Sequence, residues 1–190
     1  MSTDLSPAVQ DKRSPLVTVA IAVAVLAAAV AAGLVVRWWT HPTIFGSLGD
    51  SYVSLPLPVA EAALSTTVIF PQVDGEPETV TIDRLHAVFS KNTANATATF
   101  SICHLGAGEA PIGDVHDPGT DCHDIVPVET GASFLHGVAP DSDYLFVTIT
   151  PTTAGVAHLA RVEVRYERGA GHLYQRGTES IGIDRKVTAR

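Results

Sequence analysis

The sequence predicts an all-β domain, an antiparallel sandwich of immunoglobulin-like type, carried outside the cytoplasm behind one N-terminal transmembrane helix. Three observations point there. Leu16 to Val36, LVTVAIAVAVLAAAVAAGLVV, runs for 21 residues without a charge. Beyond it, apolar residues recur with period two in short segments separated by Gly, Pro, Asn and Asp, the pattern of half-buried strands joined by turns. Helical periodicity is sparse over the same stretch.

The apolar run is taken first. At about 1.5 Å per residue it covers roughly 31 Å, the thickness of a bilayer's hydrocarbon core. A cleaved signal peptide is the competing reading, with Ala29-Val30-Ala31 as its small-residue site. The length favours a retained anchor, and Arg37-Trp38-Trp39 closes it with indole rings suited to the headgroup zone. Lys12 and Arg13 precede the run, Arg37 follows it, and the next Lys or Arg is Arg84. The positive-inside bias therefore keeps the N-terminus cytoplasmic and exports the rest, giving a single-pass protein of the cell membrane.

Four segments follow from this. Residues 1–15 are a short polar stub, expected to be disordered and cytoplasmic. Residues 16–36 are the anchor. Residues 37–63, with His41-Pro42, Gly46, Gly49, Pro56 and Pro58, have the composition of an extended juxtamembrane linker. Residues 64–190 form the extracytoplasmic β-sandwich.

Within that domain Leu64 to Phe70 is the first strand, stopped by Pro71. Val80, Ile82, Ala87 and Phe89 mark a long strand whose alternation slips near Leu85, the sign of a bulge. Asn92 to Asn95 turns the chain. Ala96, Ala98, Phe100 and Ile102 alternate with polar neighbours, and Gly106 to Asp121 is a long loop. Ile125 to Val128 is short and apolar. Tyr144 to Ile149 is apolar on both faces, which suits a central strand. Ala160, Val162, Val164 and Tyr166 alternate with charges. Gly169-Ala170-Gly171 then turns into a partner strand, His172 to Arg176, and Ile181 to Val187 offers the last. A barrel or jelly roll would use the same pattern. No Cys-Trp-Cys core signature is present, since both Trp residues adjoin the anchor, so the immunoglobulin label is architectural.

The net charge is −8, which speaks against nucleic acid or anionic lipid as the main partner. Between Lys91 and Arg161 no Lys or Arg occurs, whereas Arg and Lys dominate from Arg161 onward. The Ala- and Val-rich composition suggests a bacterial source.

Chemistry is confined to one constellation. Cys103-His104 and Cys122-His123 bracket the long loop, which also holds His116, Asp114 and Asp121. Two cysteines in an oxidising compartment predict a Cys103–Cys122 disulfide. The alternative is a copper or zinc site, either with the thiolates or with only His104, His116 and His123 together with Asp121 or Asp114. Adjacent strand residues point to opposite faces, so Cys103 and His104 cannot both face one ion without a bend. A blue-copper centre lacks its Met, because Met1 is the only one. The aspartates do not have EF-hand spacing. There is no G-x-S-x-G, H-E-x-x-H, C-x-x-C or P-loop. The expectation is a non-enzymatic binding or structural module with no required cofactor, partnered by the bilayer through Leu16–Val36 and by a protein at the membrane surface. An exported metal-handling domain is the alternative.

Overall fold

The computed structural model describes residues 15–45, 53–57, 63–70, 76–104, 114, 119, 122–138 and 142–190. It consists of two compact units, a helical segment ending at Trp39 and a β domain from Thr40 to Arg190. The helix α1 spans Pro15–Thr40. Proline suits a first turn, where its missing N–H has no intrahelical acceptor to lose. Leu16–Thr40 is long and apolar enough to cross a membrane, and its apolar residues occupy every face rather than one stripe. A soluble helix would show the stripe.

Among the described residues the β domain has nine strands: β1 Val53–Leu57, β2 Leu64–Ile69, β3 Glu78–Asn92, β4 Thr97–His104, β5 Asp124–Pro127, β6 Ser133–His136, β7 Tyr144–Thr150, β8 Gly155–Arg168 and β9 Arg176–Ala189. They form two sheets, ordered β1-β9-β8-β3-β6 and β2-β7-β4-β5. Every pairing is antiparallel except β1 with β9, which is parallel from Val53↔Arg185 to Leu57↔Ala189. The mostly β, sandwich-like architecture agrees with the sequence expectation. Three details depart from it. Val53–Leu57 is a strand although it lies in the stretch expected to be linker. Ser133–His136 pairs with β3 where no strand was expected. The expected partner strand His172 to Arg176 is a 3-10 turn over Ala170–His172, and pairing resumes only at Arg176.

The period-two pattern places the core. Val80, Ile82, Leu159, Val162, Val164 and Val187 of the first sheet meet Leu64, Ile102, Leu145, Val147 and Ile149 of the second, all buried. Each such side chain contributes about 1.5–3 kcal/mol against its exposed state. β7 lies between β2 and β4 and is buried on both faces, its Tyr144 and Phe146 packing with Cys103 in a second cluster. Register slips between Ile82 and Arg84, beside the bulge expected near Leu85, and again around Ser90. The Asn92 turn closes on its own side chain: Asn92 Oδ1 accepts from the Ala96 N–H at 2.8 Å, and its Nδ2 donates to the Ala96 carbonyl at 2.9 Å.

Candidate functional site

One polar arrangement of the β domain grips the chain where it follows α1. Tyr166, near the end of β8, points inward and its ring lies over Gly177 of β9. A Cβ at 177 would come within 2.4 Å of Tyr166 Cζ, so only glycine leaves room for the ring. The phenol O–H faces the Pro42 carbonyl oxygen at 2.9 Å and Oε1 of Glu179. Oε1 of the same carboxylate accepts from the Ile44 N–H at 2.7 Å, and Oε2 from the Phe45 N–H at 3.3 Å. One acidic side chain thereby satisfies two consecutive backbone donors that no strand ladder serves.

Phe45 fills the space this grip defines. Its ring centroid lies 4.8 Å from that of Tyr166, 5.2 Å from His136 and 6.3 Å from Phe134. His136 on β6 is 1% exposed. Its Nε2–H donates to the Ile44 carbonyl at 3.3 Å, which sets the tautomer because a carbonyl can only accept. Its Nδ1 meets no hydrogen-bond partner among the described residues. Burial pushes the His136 pKa below the usual histidine value, against the smaller opposing pull of the Ile44 hydrogen bond. The ring is therefore neutral at pH 7. Burial, reinforced by the hydrogen bond to Glu179, pushes the Tyr166 phenol well above the ordinary tyrosine value. The arrangement holds backbone; it presents no activated nucleophile.

The residues singled out from the sequence lie elsewhere. Cys103 and Cys122 form a disulfide, with Cα atoms 5.5 Å apart, so neither sulfur is a thiolate. Cys103 is fully buried, while its neighbour His104 points away and is 38% exposed. His104 Nδ1–H donates to Oδ1 of Asp143 at 2.6 Å, and Oδ2 of Asp143 accepts from the Leu135 N–H at 2.8 Å. His123 is exposed, and its backbone N–H donates to the His104 carbonyl at 2.9 Å. His116 and Asp121 lie outside the described residues. Asp114 is engaged by Arg185 at 2.8 Å. Among the described residues no three His, Cys, Asp or Glu side chains come together as a metal-binding group.

Two further polar arrays join residues far apart in the chain. Ser90, His158 and Asp184 line up across β3, β8 and β9. The Ser90 O–H donates to His158 Nδ1 at 2.8 Å, and His158 Nε2 faces Asp184 Oδ1 at 2.5 Å. Both flanking residues sit at register slips. Ser90 falls between the pairs Phe89↔Leu159 and Lys91↔His158. Asp184, with φ of 48°, falls between the pairs at Gly182 and Arg185. Bulges re-aim side chains, and here two of them turn toward one imidazole. Asp184 remains 45% exposed and His158 28%. In the second array Arg168 makes a two-bond contact with Glu78, at 2.7 and 2.9 Å, and also reaches Gln175 at 3.0 Å and His172 at 2.9 Å. No linear motif announces either array, because each is assembled by strand register.

No protein-family profile, curated protein or solved structure matches the chain.

Proposed function

We propose that this is a single-pass membrane protein whose β domain acts as an extracytoplasmic binding or structural module, immunoglobulin-like in architecture and not catalytic. The observation that carries the reading is the grip of Glu179 and Tyr166 on Pro42, Ile44 and Phe45. Only His41 separates the end of α1 from this grip. The grip shortens the free tether between helix and domain, and a short tether lowers the entropic cost of engaging a partner in the same membrane. The order β9-β8-β3 in one sheet and β2-β7-β4 in the other supports the architectural label, since it follows the G-F-C and B-E-D orders of immunoglobulin sheets. Here β5 and β6 intervene between the strands in the D and E positions, and the disulfide ties β4 to the segment before β5 instead of joining the sheets.

The test is recovery of the full chain from membranes in several mild detergents. A stoichiometric partner, lost when Glu179 is replaced by Ala, is the expected result; recovery of the chain alone in each detergent overturns the reading. A second reading, a copper or zinc site at the disulfide loop, draws support from His104. Metal-ligating histidines usually donate their other ring N–H to a carboxylate, and Asp143 occupies that role at Nδ1. Under this reading a His104→Ala/His116→Ala/His123→Ala variant loses Cu²⁺ or Zn²⁺ retained by the parent chain, and equal metal content in both excludes it.

A further inference from the structure

Leu173 and Tyr174 are 57% and 59% exposed, the barest large apolar side chains among the described residues of the β domain. Both have left-handed backbones, with φ of 56° and 55°, a conformation unfavourable for any residue with a Cβ and rare for Leu. The surrounding contacts impose it. The Leu173 N–H donates to the Ala170 carbonyl at 3.0 Å, the Gln175 N–H to His172 at 3.2 Å and the Arg168 N–H to Gln175 at 2.8 Å. Gln175 is fully buried and held by Arg168, which Glu78 holds in turn. The base of the β8–β9 connection is thus rigid, while its apolar tip is uncovered.

The tip lies at the end of the domain where the chain arrives from α1. Tyr174 precedes Gly177 by three residues, at most about 10 Å of chain. The Tyr166 ring lies on Gly177 and its hydroxyl meets Pro42. Thr40 is two residues before Pro42, at most about 7 Å away. Pro42, where the chain enters the β domain, and the Leu173–Tyr174 tip therefore lie toward the same end of that domain.

We propose that Leu173 and Tyr174 enter the headgroup zone of the bilayer that Leu16–Val36 crosses, making a second, peripheral membrane contact. The inference rests on the membrane reading above. That zone is on the order of 5–8 Å deep on each side. Tyrosine suits it, offering an apolar ring with a polar end, and leucine reaches the first acyl carbons. The nearby cations carry carboxylate partners, Arg168 with Glu78 and Arg176 with Glu167. The contact is therefore apolar in origin and does not require anionic lipid.

The experiment reconstitutes the full chain in phosphatidylcholine vesicles containing a phosphatidylcholine with a diazirine near its glycerol backbone. After illumination, trypsin cuts at Arg13, Arg37, Arg168 and Arg176, releasing Ser14–Arg37 and Gly169–Arg176 as separate peptides. Lipid adducts on both peptides are expected, with those on Gly169–Arg176 falling about tenfold in a Leu173→Ser/Tyr174→Ser variant. Adducts on Ser14–Arg37 alone overturn the tip contact while leaving the anchor in place, and leave the tip for a protein partner. Adducts on neither overturn the anchor and the tip contact together. Equal labelling of Gly169–Arg176 and the remaining peptides of the β domain overturns the tip contact as well. Circular dichroism of the double variant, matched to the parent, shows that the loss of label is local.

Discussion

Tyr166 lies so closely over Gly177 that a single methyl group at 177 would sit 2.6 Å from its hydroxyl oxygen. The glycine of β9 is therefore what allows the Pro42–Phe45 segment to be held. Gly177→Ala must push the phenol off its two acceptors, combining an overpacking cost with lost hydrogen bonds. A destabilisation of about 2–4 kcal/mol is expected in chemical unfolding of the full chain. An unchanged midpoint would show that the ring has another place to go.

Removing the carboxylate should release the segment without disturbing the core. In Glu179→Ala the Ile44 and Phe45 amides lose their acceptors, at a cost of about 1–3 kcal/mol. Hydrogen exchange reads this directly. Protection at 44 and 45 should collapse while β7 and β8 amides stay protected; retained protection would mean that the aromatic packing of Phe45 suffices.

The stability of the domain should form a plateau bounded by two titrations. The folded-state pKa of His136 is lowered by burial, so below about pH 6.5 the unfolded chain takes up a proton that the folded one resists. Stability then falls with decreasing pH by at most about 1.4 kcal/mol per unit until the folded ring itself protonates. Tyr166 and Tyr144 are raised by burial, so stability is full below about pH 10 and is lost as pH rises beyond it. His136→Phe should flatten the acid limb of a melting-temperature profile and leave the alkaline limb alone. An acid limb of the same slope in that variant would assign it to other groups.

Replacing both cysteines, Cys103→Ser/Cys122→Ser, opens a loop whose ends are 19 residues apart in sequence. The chain-entropy model gives a loss of about 3 kcal/mol. Because Cys103 is fully buried beside Tyr144 and Phe146, the serine hydroxyl adds a desolvation cost. Equilibrium unfolding of the variant and of the parent under reducing and non-reducing conditions separates the two contributions.

Ser90 offers a test of the non-catalytic reading. Its hydroxyl meets an imidazole paired with a carboxylate, the order of groups that activates a serine. The array is nonetheless open to solvent, where water screens the charge that a developing imidazolium would need stabilised. Fluorophosphonate should label Ser90 no faster in the folded chain than in the denatured one. Faster labelling that disappears in His158→Ala would show an activated serine and overturn the non-catalytic reading.

Much of the fold was legible because alternation is a local signal. β4, β7 and β8 declare themselves within eight or so residues, and the buried double face of β7 follows from its unbroken apolar run. β1 was not legible because it contains Pro56, which reads as a breaker; it survives at the edge of its sheet, where a missing N–H costs no ladder bond. β6 has only four residues, too few for a period to show. The disulfide could be read from two cysteines and an inferred compartment. The Pro42–Phe45 grip could not, since Ile44 and Glu179 are 135 residues apart and nothing in HPTIF names its acceptor. The same holds for Ser90 and Asp184, whose convergence depends on two register slips.

The parallel pairing of β1 with β9 bears on when the domain can finish folding. Strand β9 supplies the edge for β1, the carboxylate for Ile44 and Phe45, and the glycine under Tyr166. A chain made from its N-terminus therefore presents Phe45 and β1 long before their partners exist. Such high-separation contacts form slowly. The segment that follows α1 is the earliest part of the domain to be made and the last to be secured, and until then it is the part most open to a chaperone or a protease.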